Sequence, residues 1–264
     1  MQRNNLKKLA ATASKLALTF VAANMMGLFG ARAEDPKAMF KEMSDYLASQ
    51  SAISFDYDSN LDVVTVDGER LGLASSGTLT LNRPNKLHAT RTGGFANIEV
   101  AFDGTDLTLL GKNVKVFAKV PVPGNIDHLV DELRNTYGRP VPAADLLLSN
   151  PYEQLIPLVK EAKDLGSGVI GGVECDHLAF RTDEVDWQIW IAQGTRRYPC
   201  RYVITSSHTP GLPAYTIDVR SWKTGAEVAD NFAVSIPAGA TQLKIVELTD
   251  FDDVGGIYKT KQEK

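Results

Sequence analysis

From Ile53 onward the apolar residues of this chain recur every second position, and turn residues interrupt them roughly every eight to twelve positions. A segment of period two buries one face and pairs along its edges, so this pattern commits most of the chain to antiparallel strands joined by hairpins. Before the switch the period is helical. Asp35-Pro36 combines a capping side chain with a proline already at helical φ. Met39, Phe40, Met43, Tyr46 and Leu47 then form an apolar stripe, predicting a helix over 36–49. Asp67-Gly68 and Asp103-Gly104 read as hairpin turns, and Arg83-Pro84-Asn85 breaks the strand between them. Leu107 to Leu110 and Val114 to Val120 make the next pair around Gly111, closing a meander of about six strands at Pro121 to Gly124.

The middle of the chain returns to helical spacing. Ile126, Leu129, Val130, Leu133 and Tyr137 share one face, and Gly138 follows where a C-terminal cap belongs. Ala143 to Leu148 reads as a short apolar helix or turn. Asn150-Pro151-Tyr152-Glu153 resembles a capping box opening a helix that Pro157 kinks. Strands resume at 168–182, 185–193, 198–207 and 213–222, with a short last one at 232–236. Trp187, Ile189 and Ile191 alternate with Gln188, Trp190 and Ala192, so large apolar groups fall on both faces of that strand. Helix is expected on one side of it and a cavity or core on the other. The fold class is therefore α+β: one curved antiparallel sheet of about 10–11 strands, with its helices packed on a single side.

Residues 1–33 carry an export signal: a basic start, an apolar run from Leu16 to Phe29, and a small-x-small site at Ala31-Arg32-Ala33. Cleavage after Ala33 would release a periplasmic, not membrane-spanning, chain into an oxidising space with little nucleotide. Five of the 28 basic residues leave with the signal and no acidic ones, so 23 face 32 acidic residues in the mature chain. That balance argues against nucleic acid as a partner. A 44% hydrophobic composition without an internal linker predicts one domain over 34–249, followed by a polar tail at 250–264.

Cys175 and Cys200 are the only cysteines. An oxidising compartment favours a disulfide between them, with two buried thiols as the alternative. In a simple three-strand meander they would lie about 10 Å apart, too far to bond, unless Cys200 folds back after Pro199. The four histidines are scattered singly, and Asp176-His177 point to opposite faces of a strand. Asp183-Glu184-Val185-Asp186 lacks the glycine and ligand spacing of a calcium loop and reads as a solvated turn. Neither a nucleophile elbow nor a phosphate loop nor a zinc-binding His-Glu-x-x-His occurs. The expectation is a protein that is not an enzyme and needs no cofactor or metal. What remains is apolar surface: Phe55, Tyr57, Val116, Trp187, Ile189, Ile191, Tyr215 and Ile217 are the candidates for one concavity that accepts a lipid or acyl chain, unless the helices fill it.

Several segments resemble the periplasmic lipoprotein-carrier (LolA-like) superfamily. Residues 76–88 look like its early strand ending in an Arg-Pro corner, 102–107 like its Asp-Gly hairpin, and Ser221-Trp222 with 232–237 and Gly239 like its closing strands. More closely, 175–181 and 185–191 resemble a family of predicted periplasmic proteins of unknown function within that superfamily. The resemblance implies an open half-barrel with helices plugging its concave side, and a lipid-binding or carrier role in the cell envelope. An envelope protein-interaction module with a filled cavity is the alternative.

Overall fold

The Asp35 side chain accepts a hydrogen bond from the Lys37 backbone N–H at 3.0 Å, and Pro36 opens helix α1, Pro36–Ser49, as the capping signal predicts. Its apolar stripe, Met39, Phe40, Met43 and Leu47, is buried. The computed structural model describes residues 35–248 apart from 95, 140 and 230. The expected export signal and C-terminal tail lie outside these residues.

Twelve strands follow: β1 (Ala52–Val64), β2 (Arg70–Asn82), β3 (Lys86–Gly93), β4 (Asn97–Phe102), β5 (Asp106–Gly111), β6 (Val116–Pro121), β7 (Glu161–Ile170), β8 (Val173–Arg181), β9 (Val185–Ala192), β10 (Pro199–Ser206), β11 (Ala214–Thr224) and β12 (Thr241–Gln242). They form one open sheet in the order β12-β6-β5-β4-β3-β2-β1-β11-β10-β9-β8-β7. Every pairing is antiparallel except β12 on β6. The 13-residue β1 pairs with β2 on one side and β11 on the other, joining the two meanders into a single surface. The fold is α+β with a curved, unclosed sheet.

Between the meanders lie α2 (Ile126–Asp131), a π turn at Glu132–Thr136, a 3-10 turn at Ala144–Leu147, α3 (Pro151–Leu155) and a 3-10 turn at Ile156–Leu158. The Asn150 side chain caps α3 by accepting from the Glu153 N–H at 3.2 Å, and the helix tightens to 3-10 at Pro157. The Ser44 side chain ties α1 to this insert, accepting from the Tyr152 N–H at 3.0 Å. All helices bury against one face of the sheet. That inner face carries two apolar clusters, a larger one spanning α1, β1, β2 and β8–β11 and a second beneath β3–β6.

Two strand expectations need correction. The span 168–182 is not one strand but the end of β7, a turn at Gly171-Gly172, and β8. Both glycines adopt positive φ, 57° and 85°, the geometry a two-residue hairpin turn needs. β7 escaped notice because a bulge between Asp164 and Ser167 breaks its alternation and leaves Leu165 and Val169 exposed. Residues 232–236 form no ladder. That segment runs against the outer face, where the Lys86 ammonium lies 5.6 Å from the centre of the Phe232 ring, before β12 pairs with β6. On the outer side of β9, Ala192 joins a small third cluster with Cys175 and Cys200, and Trp190 packs against its edge. Trp190 stacks on His177 at 3.9 Å and lies 5.7 Å from the Arg201 guanidinium, which grips Asp218 with two hydrogen bonds. These four residues sit side by side on β8–β11, a polar ladder that lets the outer face meet water.

Candidate functional site

The inner face of β1, β10 and β11 forms an apolar floor. Ile53 and Phe55 come from β1, Tyr202 from β10, Ile217 from β11, and Leu47 of α1 closes one wall. Trp222 belongs to this floor although its position in the alternation puts it on the opposite side. Ser221 adopts φ 54°, and this left-handed residue turns the following side chain inward. There the indole stacks between Phe55 at 5.5 Å and Tyr198 at 5.2 Å, and donates to the Tyr46 hydroxyl at 3.2 Å.

The segment Ala143–Leu148 covers the floor, with Ala143, Leu146 and Leu147 facing it. Between floor and cover remains a cavity of about 40 Å³. That holds a few waters at most, against about 300–1,000 Å³ for a ligand pocket, so the cup is closed and nearly filled by the chain's own side chains.

Few polar ties hold the cover. Arg83, at the corner after β2, donates from Nη1 to the Leu147 carbonyl at 3.0 Å and from Nη2 to the Leu148 carbonyl at 3.1 Å. Its Nε is buried without a hydrogen-bond partner among the described residues. Burial pulls the guanidinium below its usual pKa, and Asp127 nearby only partly opposes this. Asp127 itself accepts from the Ser149 N–H at 2.9 Å and from its hydroxyl, and Arg134 pairs with Asp145 at 2.7 Å. Ala143 adopts φ 64°, an unfavourable conformation for a residue with a Cβ. The cover is thus fastened at Asp145 and at its C-terminal end, while Ala143, Leu146 and Leu147 rest on apolar surface.

Of the residues expected to line one concavity, Phe55 and Ile217 border the cavity. Tyr57, Trp187, Ile189 and Ile191 are buried in the same large cluster, and Tyr215 packs against it half-buried. Val116 lies apart: it packs against the second cluster and pairs with Thr241 of β12. Sequence reasoning missed Tyr202, Trp222, the cover residues and Arg83. Tyr202 follows from the register, since it stands between Ile189 and Ile217. In the sequence Arg83 marks a strand break, and nothing local shows that its side chain crosses to residue 147.

Cys175 and Cys200 are buried free thiols whose sulfurs lie 2.7 Å apart, longer than the about 2.05 Å of a disulfide. The expected bond is therefore absent from the structure, yet the approach it required, Cys200 folding back after Pro199, is present. β10 is bulged between Pro199 and Arg201, so Cys200 escapes the regular register. Its side chain swings toward Cys175, across the small Ala192 of the intervening β9. Burial pushes both thiols up, Cys200 further.

Other polar groups serve structure. His88 reaches Glu99 at 2.8 Å, and Lys112 reaches the other oxygen at 2.6 Å; burial raises the Glu99 carboxyl, but these partners outweigh it and hold it below the usual range. Asp183-Glu184 form the β8–β9 turn, where the Thr182 hydroxyl accepts from the backbone of Glu184 and Val185. Among the described residues no three His, Cys, Asp or Glu side chains converge to hold a metal.

The family described as "Predicted periplasmic protein (DUF2092)" matches residues 37–246. Solved structures with similar chain traces include the Mycobacterium tuberculosis lipoprotein LppX, at 14% identity and a TM-score of 0.45, over 73% of this chain and 97% of that one. LprF from Mycobacterium bovis follows at 12% identity and 0.42, over 78% and 97%. The Pseudomonas aeruginosa MucA/MucB complex gives 12% and 0.42, over 74% of this chain and 59% of that chain. A search of curated proteins finds no match.

Proposed function

Because the chain belongs to the DUF2092 family of predicted periplasmic proteins, we propose that it is a non-catalytic binding or carrier protein of the periplasm whose cup takes a lipid or acyl chain in place of its own cover. The observation that carries this reading is the mismatch between floor and fastening. The floor is almost wholly apolar, while the cover is a six-residue segment with a strained Ala143 and a buried arginine left one partner short. An acyl chain could replace the buried contacts of Leu146 and Leu147 at little net cost, since one apolar surface substitutes for another. Among the described residues no helix is long and apolar enough to cross a membrane. Export with cleavage after Ala33 belongs to the same proposal.

Removing the Arg83 ties should favour the open cup. Arg83→Leu is expected to raise binding of an apolar fluorescent dye several-fold, since each lost bond to a charged donor is worth about 1.5–3 kcal/mol to the closed form. Unchanged dye binding by a folded variant would remove the cover from the mechanism. Native mass spectrometry of protein purified from its own periplasm tests the occupant directly: a bound acyl ligand supports the carrier, and an empty chain counts against it.

The 40 Å³ cavity favours a second reading, an envelope protein-interaction module whose cup stays filled. A cross-link that pins Leu147 to the floor separates the two, because it abolishes ligand binding in a carrier and leaves a filled module unaffected.

The disulfide is proposed for the exported protein. The sulfurs are placed to bond with little rearrangement, but buried, protonated thiols react slowly, so the bond should form during folding rather than after it. Thiol titration of unfolded, unreduced protein from the periplasm should find no free thiol. Finding both free would exclude the bond.

A further inference from the structure

Tyr202 is 2% exposed and lines the cavity, on β10 between Ile189 of β9 and Ile217 of β11. The edge of its ring meets Trp187 at 5.8 Å. Its hydroxyl makes no hydrogen bond among the described residues, whereas comparable hydroxyls of the same cluster do: Tyr57 donates to the Thr90 carbonyl at 2.9 Å, and Tyr46 accepts from the Trp222 indole. Tyr202 is buried as a residue, yet its hydroxyl oxygen is not sealed off at the scale of a water molecule, so this lone donor opens onto the space that the residue lines. The cavity around it is otherwise walled by aliphatic and aromatic carbon, with the Trp222 N–H already engaged. A water there would find one protein partner, where buried waters ordinarily have about three.

We propose that Tyr202 is the polar anchor of the cup, donating its O–H to the carbonyl oxygen of an uncharged acyl ester. This rests on the reading that the cup takes an apolar ligand. Burial holds the phenol protonated, so it is a donor throughout the physiological range. An ester suits the site better than a carboxylate, which would enter the apolar floor without a cation.

The test uses the mature chain and three probes that share a twelve-carbon chain, methyl laurate, laurate and dodecane, displacing a bound apolar dye. Wild type should bind methyl laurate about fivefold more tightly than the other two, and Tyr202→Phe should lose that advantage while binding dodecane unchanged. The infrared carbonyl band of methyl laurate bound to wild type should also shift to lower frequency than in hexane, a readout that needs no variant. An unshifted band, or equal ester affinity in wild type and Tyr202→Phe, overturns the anchor and leaves the cup reading standing. Failure of all three probes to bind even Arg83→Leu overturns both.

Discussion

Trp187→Ala should lower stability by about 3–5 kcal/mol, read as a shift of the urea midpoint or a fall in Tm of roughly 10 °C or more. The indole is 2% exposed and sits where helix and sheet meet. It stacks on Phe180 at 4.0 Å, meets Phe40 of α1 at 5.2 Å and touches Tyr202 at 5.8 Å. Truncation leaves a large void bounded by rings that cannot collapse into it. Trp190→Ala on the other face of the same strand is the internal control. That ring is half-buried in a polar ladder, so its loss should cost far less. Equal costs for the two would mean that the inner and outer faces of β9 are wrongly assigned.

Gly77→Ala is the second large effect, at about 3 kcal/mol, although it adds one carbon to a strand rich in small residues. Gly77 on β2 lies beneath Tyr57 of β1, whose hydroxyl reaches past it to the Thr90 carbonyl of β3. A Cβ there would stand 1.9 Å from the Thr90 oxygen and 2.6 Å from the Tyr57 ring. The ring could turn away, losing its hydrogen bond, but the carbonyl belongs to the β2–β3 ladder and cannot move without breaking register. Tyr57→Ala should therefore fail to rescue Gly77→Ala, with amide exchange accelerated along β2 and β3. A double variant as stable as Tyr57→Ala alone would show that the clash is with the ring only.

The features legible in the chain are those that repeat or sit at ends. The stripe of α1 with its Asp35-Pro36 cap, the Asp-Gly hairpins and the period-two series Trp187, Ile189 and Ile191 each express a local rule, so their elements stand where expected. The segments that resemble a periplasmic family belong to the family that matches. Misses cluster where the backbone departs from its period. The bulge in β7 hid a strand. The approach of Cys200 to Cys175 was legible only as a condition, a fold-back after Pro199, which the bulge at Pro199/Arg201 supplies. Residues 232–236 alternate like a strand yet have no ladder, because alternation reports a half-buried extended segment and says nothing about its neighbours.

The amino-acid order alone determined the architecture class and much of the greasy inner surface, because side-chain periodicity is a property of each segment taken by itself. The state of the cup was decided only in three dimensions. Whether it stands open depends on Ala143–Leu148 and on Arg83 reaching the carbonyls of Leu147 and Leu148 across more than sixty positions of sequence. Membership of the floor was settled the same way at Trp222, where one left-handed residue, Ser221, reverses the face. Long-range contacts and isolated φ reversals leave no periodic trace, so no pattern along the chain could have announced them.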